Sequence, residues 1–255
     1  MNLLAFDTST DVMSLAVSRW VDGAPRVWQH EGPGGALASS GLIQGLLDLL
    51  QQADLSLENL DAVCFGSGPG SFTGLRTACS VAQGLAFGAG VPVLPIPSLL
   101  AVAEEARHTA LPHHSTGHVI ALLDARMDEM YGAIYQFEGE RWVEVQAPCL
   151  LSPVGLQAWE STHAVRSEAW AGNVFEVYAD RLPVRLEGSA PRISALPTAG
   201  AMLRLAPGLM AAGLSVAAHQ AMPIYIRDKV AKTTEERAVE KAEKIRLSAS
   251  DAPHA

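Results

Sequence analysis

Two aspartates, Asp7 and Asp124, each close a short apolar run, LLAFD at 3–7 and IALLD at 120–124, and each is followed directly by a turn. A carboxylate so placed has two chemistries open to it. It can share a hard cation with phosphate oxygens, or it can accept hydrogen bonds from the N–H groups of its own turn, which is the simpler account. A third feature is the stretch from Gly66 to Ala86, GSGPGSFTGLRTACSVAQGLA, a glycine-rich turn that runs into a helix. Ser71 is placed to accept from the first free N–H groups of that helix. Glycine turns leading into helix N-termini form anion sites. Here no Lys-Ser or Lys-Thr follows the glycines, and no Gly-x-Gly-x-x-Gly with a later acidic residue follows the first strand, so a structural turn fits better than a phosphate cradle. No Gly-x-Ser-x-Gly elbow is present, which argues against a hydrolase.

The elements that must position these residues read as a duplicated pattern. Leu3 to Phe6 and Val12 to Val17 form a strand, turn and strand, with a third strand around Arg26 to His30. A leucine-rich helix spans Ala36 to Gln52, with Leu42, Leu46, Leu49 and Leu50 at helical spacing. Strand Ala62 to Phe65, the glycine loop, a helix to Gly88, strand Pro92 to Pro95 and a helix capped by Ser98 and ending near Arg107 complete the first half. The order returns in Val119 to Asp124, Met130 to Phe137, Trp142 to Ala147, a helix near Val154 to Glu160, strand Ala169 to Ala171 and a helix near Thr198 to Ala212. Displacing one hairpin on the other by 117 positions, 124 minus 7, superposes Asp7 on Asp124, Asp11 on Asp128, Met13 on Met130 and Ala16 on Ala133. An offset near half the chain is what two duplicated α/β lobes give. The expected organisation is an N-terminal lobe over 1–107, a linker over 108–117, a C-terminal lobe over 118–226 and a charged tail over 227–255.

The 255-residue, 27.0 kDa chain is 49% apolar, enough for a large core. Its formal charge of −9 and pI near 5.3 argue against a nucleic-acid or anionic-membrane surface of its own. Cys64, Cys79 and Cys149 have no metal spacing and read as buried thiols of a reducing compartment, hence the cytoplasm. The N-terminus does not read as a signal peptide, since Asp7 interrupts the first apolar run and no basic residue precedes it. The uncharged stretch from Thr77 to Ala103 is broken by Gln83, Pro92, Pro95 and Pro97, and so does not read as a membrane span. His113, His114 and His118 read as residues of a surface linker rather than metal ligands. The tail, with pairs such as Glu240 and Lys244, reads as a solvated helix.

Two lobes that each open with a hairpin and a turn aspartate resemble the actin, hexokinase and Hsp70 superfamily of ribonuclease H-like lobes. In that fold the two turns grip nucleotide phosphates and the aspartate organises Mg²⁺. The resemblance makes Asp7, Ser9, Gly68 and Gly70 the candidate phosphate contacts. The chain also closely resembles the bacterial TsaB family, also called YeaZ, through LLAFDTST at 3–10, GSGPGSFTGLR at 66–76, AQGLAFG at 82–88, ALLDARMDEMY at 121–131 and PIYIRDKVA at 223–231. These motifs occur in the family's order and cover roughly residues 1–231.

The resemblance implies a non-catalytic subunit of the machinery that makes N6-threonylcarbamoyladenosine at position 37 of tRNAs reading codons that start with A. It would form a heterodimer with TsaD, join the ATPase TsaE in a ternary complex, and reach tRNA only through the complex. It implies no metal and no cofactor of its own, with ATP and Mg²⁺ entering in the complex. TsaD-like proteins hold a metal through a His-x-x-x-His pair, and the leucine-rich helix here has no histidine; His30, the one histidine before residue 100, lacks a His-Glu-x-x-His context. The resemblance also implies a four-helix contact between the two proteins. Gly74, Ala78, Ala82 and Ala86 recur every four residues and form a stripe without bulk, which suits either a partner helix or the lobe's own sheet. The expected interface is Leu42, Leu46, Gly74, Thr77, Ala78, Ser80, Val81, Ala82, Gly84 and Leu85, with Ala78→Trp expected to abolish the heterodimer without unfolding the chain. A homodimer through the same surface is the alternative assembly for the isolated chain. Where many relatives carry a His-Ser pair, this chain has Ala38-Ser39-Ser40-Gly41, which predicts a looser first turn of the leucine-rich helix. The rival reading from another class is an autonomous phosphotransferase or ATPase with Asp7 organising Mg²⁺.

Overall fold

The computed structural model describes residues 1–163, 166–179, 181–182 and 190–227. The charged tail beyond Arg227 lies outside the described residues. Chain order is β1 (Leu3–Asp7), β2 (Val12–Val21), β3 (Ala24–Pro33), α1 (Leu42–Gln52), β4 (Ala62–Gly68), α2 (Phe72–Ala89), β5 (Val93–Pro97), α3 (Ser98–Ala110), β6 (Thr116–Arg126), β7 (Glu129–Glu138), β8 (Arg141–Leu151), α4 (Leu156–His163), β9 (Ala169–Gly172), α5 (Val174–Val177), β10 (Arg192–Ser194) and α6 (Ala199–Ala211).

The strands form two sheets, ordered β3-β2-β1-β4-β5 and β8-β7-β6-β9-β10. In each, the first three strands in sequence are antiparallel neighbours and the last two join in parallel. The repeated order makes the fold two ribonuclease H-like lobes of the actin and hexokinase class. The two hairpins are not in the single register that the sequence offset suggests. Asp7 pairs with Ser14 in the first, whereas Asp124 pairs with Met130 in the second. Counted from the aspartate, the second pairing closes one residue sooner, so Met13 and Met130 fall at non-equivalent ladder positions.

Helices α1 and α2 cover one face of the first sheet, burying Leu42, Leu46, Leu49, Leu50, Ala78, Ala82 and Ala86 against Leu4, Phe6, Leu15, Val17, Val63 and Phe65. The opposite face is covered by α6, which comes from the far end of the described chain and packs across β1, β2, β4 and β5. In the converse direction, α3 from the first half lies against β6 and β9. A continuous apolar core therefore joins the sheets, running from Leu3, Ala5, Cys64 and Ile96 through α3 and α6 to Val119, Leu123, Ala133 and Phe137. Glu104 on α3 is buried in that layer and accepts from Arg107 (2.8 Å), Arg204 of α6 (2.8 Å) and Trp142 of β8 (3.2 Å). A buried carboxylate is tolerated there because both of its oxygens are engaged by donors.

Several expected bounds are corrected. The helix expected over Ala36 to Gln52 divides at Gly41 into a 3₁₀ segment, Gly35–Ser40, and α1. The Gly41 N–H closes the 3₁₀ segment on the Ala38 carbonyl (3.2 Å), and α1 begins without a side-chain cap. Ser98 does not cap α3: Pro97 holds the cap position, and the Ser98 hydroxyl turns to Asp7 instead. His118 lies in β6 rather than in a loop. The sequence reading omitted α5 and β10, elements of four and three residues that are too short to show periodicity.

Candidate functional site

The two hairpin turns face each other across a cavity of about 400 Å³. Ser9, Asp11, Gly70 and Ser71 line it from the first lobe, Asp124, Arg126 and Tyr131 from the second, and Ile224 to Arg227 form a further wall. The candidate phosphate contacts divide accordingly: Ser9 and Gly70 reach the cavity, and Asp7 and Gly68 do not line it.

Asp7 is fully buried. Its Oδ1 accepts from the Ser9 N–H (2.7 Å) and the Ser9 hydroxyl (2.6 Å), and its Oδ2 accepts from the Ser98 hydroxyl (2.9 Å). Gly66 closes the remaining side, since a Cβ there would lie 1.8 Å from Oδ2. Burial pushes the carboxyl up to about 6, and the bonds from Ser9 and Ser98 only partly offset it.

Asp124 is held differently. Its Oδ1 accepts from the Tyr178 hydroxyl (2.6 Å) and the Arg126 N–H (2.9 Å), and the Arg126 guanidinium stands 3.4 Å from Oδ2. Burial and the neighbouring Asp124 carboxylate both raise the Tyr178 phenol, which therefore remains a donor. The same Arg126 reaches across the cavity to pair with Asp11 of the first turn. Arg126, Met127 and Asp128 are consecutive non-glycine residues with φ of 62°, 56° and 61°. Such a run is uncommon and is held only where its surroundings fix it. A magnesium nucleotide, which the fold class implies, does not fit these donors. Asp7 is sealed by serines and Gly66, and both oxygens of Asp124 already face protein donors.

Helix α2 starts at this site. Ser71 caps it, accepting from the Gly74 N–H (3.4 Å), and the Ser71 N–H donates to the Ser9 carbonyl (2.7 Å). The Thr8 hydroxyl donates to the Gly74 carbonyl (2.7 Å). A Cβ on Gly74 would lie 1.8 Å from the Thr8 carbonyl oxygen, so glycine is needed for this close approach. The expected interface splits along the helix axis. Gly74, Ala78 and Ala82, with Leu42 and Leu46 of α1, are buried in the chain's own core and are corrected from partner-facing to core positions. Ser80 and Gly84 are exposed, and Thr77, Val81 and Leu85 are half-buried. Thr73 and Gly88 extend the exposed row of small residues at either end, beside the exposed Arg76 and Phe87, and nothing lies within 4 Å of a Cβ placed on Gly84 or Gly88. Sequence reasoning omitted the exposed apolar residues on the same side of the lobe: Leu37, Ile43, Leu47 and, at 83% exposure, Phe87. For Ile43 and Leu47 the signal is their position between the buried leucines of the same turns.

Among the described residues no three His, Cys, Asp or Glu side chains are grouped to hold a metal, and no helix is long and apolar enough to cross a membrane. The sheet order and the paired turns define a member of the actin and hexokinase class. Comparison with known proteins narrows this. The family model described as TsaD, tRNA N6-adenosine threonylcarbamoyltransferase, matches residues 39–255. The chain is 33% identical over 240 residues to the tRNA threonylcarbamoyladenosine biosynthesis protein TsaB of Haemophilus influenzae, covering 90% of this chain and 95% of the relative. It is 32% identical over 236 residues to that of Escherichia coli, with 91% and 96% covered. The solved structure of YeaZ from Pseudomonas aeruginosa superposes with a TM-score of 0.71 at 34% identity, covering 88% of this chain and 99% of the other. The chain belongs to the TsaB (YeaZ) family.

Proposed function

We propose that this chain is a non-catalytic subunit that pairs with TsaD for N6-threonylcarbamoyladenosine formation at position 37 of tRNAs reading codons that start with A. The observation that carries the reading is the outward face of α2, where Thr73, Thr77, Ser80, Gly84 and Gly88 present little bulk and Phe87 is exposed beside them. Such a row admits a second helix at close range. The exposed Leu37, Ile43 and Leu47 add apolar area on the elements that cover the same face of the sheet. The names of the relatives supply the pathway. The non-catalytic role is supported by the two turn aspartates, whose oxygens are engaged by the protein itself. On this reading TsaE joins as the ATPase of a ternary complex, and tRNA is reached through the partners because the chain carries a charge of −9. It works in the cytoplasm, in keeping with its three free cysteines.

Size-exclusion chromatography with light scattering on this chain mixed with TsaD from the same organism, with and without ATP, tests the reading. A one-to-one complex and no ATP turnover by the isolated chain are expected. ATP turnover by the chain alone, with no complex under any condition, would transfer the function to an autonomous phosphotransferase.

A further inference from the structure

The segment from Ala221 to Arg227 makes contacts that neither the fold class nor the proposed pairing requires. At its start, the Ala221 carbonyl accepts from Gln83 Nε2 (2.9 Å) and Cys79 Sγ (3.3 Å), both on α2. Midway, the Ile224 N–H donates to the Ser67 carbonyl (2.7 Å), and the Tyr225 ring lies 4.8 Å from that of Phe72. A Cβ on Gly68 would stand 2.8 Å from the Ile224 carbonyl oxygen, so this glycine makes room for the segment rather than for a ligand. At the far end Arg227 enters the other lobe. Its guanidinium donates to the Ala125 carbonyl (3.1 Å) and the Arg126 carbonyl (3.3 Å) and pairs with Glu129.

These contacts form a closed ring around the cavity. The glycine loop holds Ile224, Arg227 holds the turn after β6, and Arg126 of that turn returns to Asp11 beside the first turn. Arg227 is the strongest link, because its side chain is 14% exposed and its Nη2 alone meets two carbonyls as well as a carboxylate. The Arg126–Asp11 pair is exposed and contributes little alone. The three successive left-handed residues need such support to persist.

We propose that Ala221–Arg227 is a built-in strap, and that it, rather than a bound ligand, sets the distance between the two hairpin turns. Closure of the cavity is then a standing property of the chain. The inference concerns the isolated chain and does not rest on the pairing proposed above.

Hydrogen exchange on the full chain, read in peptides covering 8–12 and 124–129, tests it. In the wild type both turns are expected to be protected without ligand, and addition of ATP with Mg²⁺ is expected to change neither. Arg227→Ala is expected to speed exchange in 124–129 by roughly tenfold, and in 8–12 by less, with Leu4–Phe6 and Ile120–Leu122 unchanged. Glu129→Gln, which leaves the carbonyl contacts in place, is expected to give a smaller rise. If Arg227→Ala opens every segment alike, Arg227→Lys is read by the same criterion, since it keeps the charge but lacks the terminal Nη2 that meets both carbonyls. Unchanged exchange in both turns of the informative variant overturns the strap. So does a wild type whose turns become protected only when ATP and Mg²⁺ are added.

Discussion

The inward and outward faces of α2 each carry a row of small residues, yet they are built for different neighbours. On the inward face, Gly74, Ala78, Ala82 and Ala86 are buried, and the first turn is bonded to Thr8. On the outward face, Thr73, Ser80, Gly84 and Gly88 are exposed, and a Cβ on Gly84 or Gly88 would meet nothing within 4 Å. The same spacing of small residues thus serves a finished core on one side and an open surface on the other. Small size alone says that something comes close, and burial decides what.

The contrast is most severely tested by volume. Ala78→Trp places an indole where the side chain is fully enclosed and is expected to unfold the chain or cost at least about 3 kcal/mol, seen as a lowered urea midpoint. Gly74→Ala, whose new carbon meets backbone oxygen, is expected to follow closely. Gly84→Trp on the outward face is expected to leave the midpoint within about 0.5 kcal/mol of wild type while abolishing the one-to-one complex with TsaD in light scattering. If Gly84→Trp is as damaging as Ala78→Trp, the two faces are not distinct.

A second test lies at the inward anchor. Burial raises the folded-state pKa of Asp7 from 3.8 to about 6. The folded chain therefore holds its proton more tightly than the unfolded chain does. The stability this gives is fully present below about pH 4 and is lost as pH rises through about 6, a change on the order of 3 kcal/mol. Asp7→Asn is expected to remove that contribution, so that its difference from wild type changes between urea titrations at pH 4 and at pH 7.5. A small gain belongs to the outward face, where Gly84→Ala is expected to raise stability by about 0.5–1 kcal/mol through helix propensity.

How much of this the sequence carries follows from range. The hairpins, the glycine loop and the Ser71 cap are local, and their residues announce them. The faces of α2 were not separable, because small residues recur at helical spacing on both, and the neighbours that distinguish them come from β4 and the Ala221 segment. Ser98 stands where a cap fits, before a helix, and nothing local points to its partner Asp7, 91 positions away. In the sequence Arg227 opens the charged tail, and only the folded chain brings it to the carbonyls of Ala125 and Arg126.

The exchange of helices between the lobes bears on how the protein is made. The sheet face bearing Leu3, Ala5 and Ala16 is covered by α6, so the first strands synthesised wait for Ala199–Ala211 before that face is shielded from water. A nascent chain that has produced only β1 to α3 thus carries an open apolar sheet, the kind of surface that recruits chaperones or aggregates. The N-terminal half is not a seed that folds and waits. Both lobes are complete only once Ala199–Ala211 is in place.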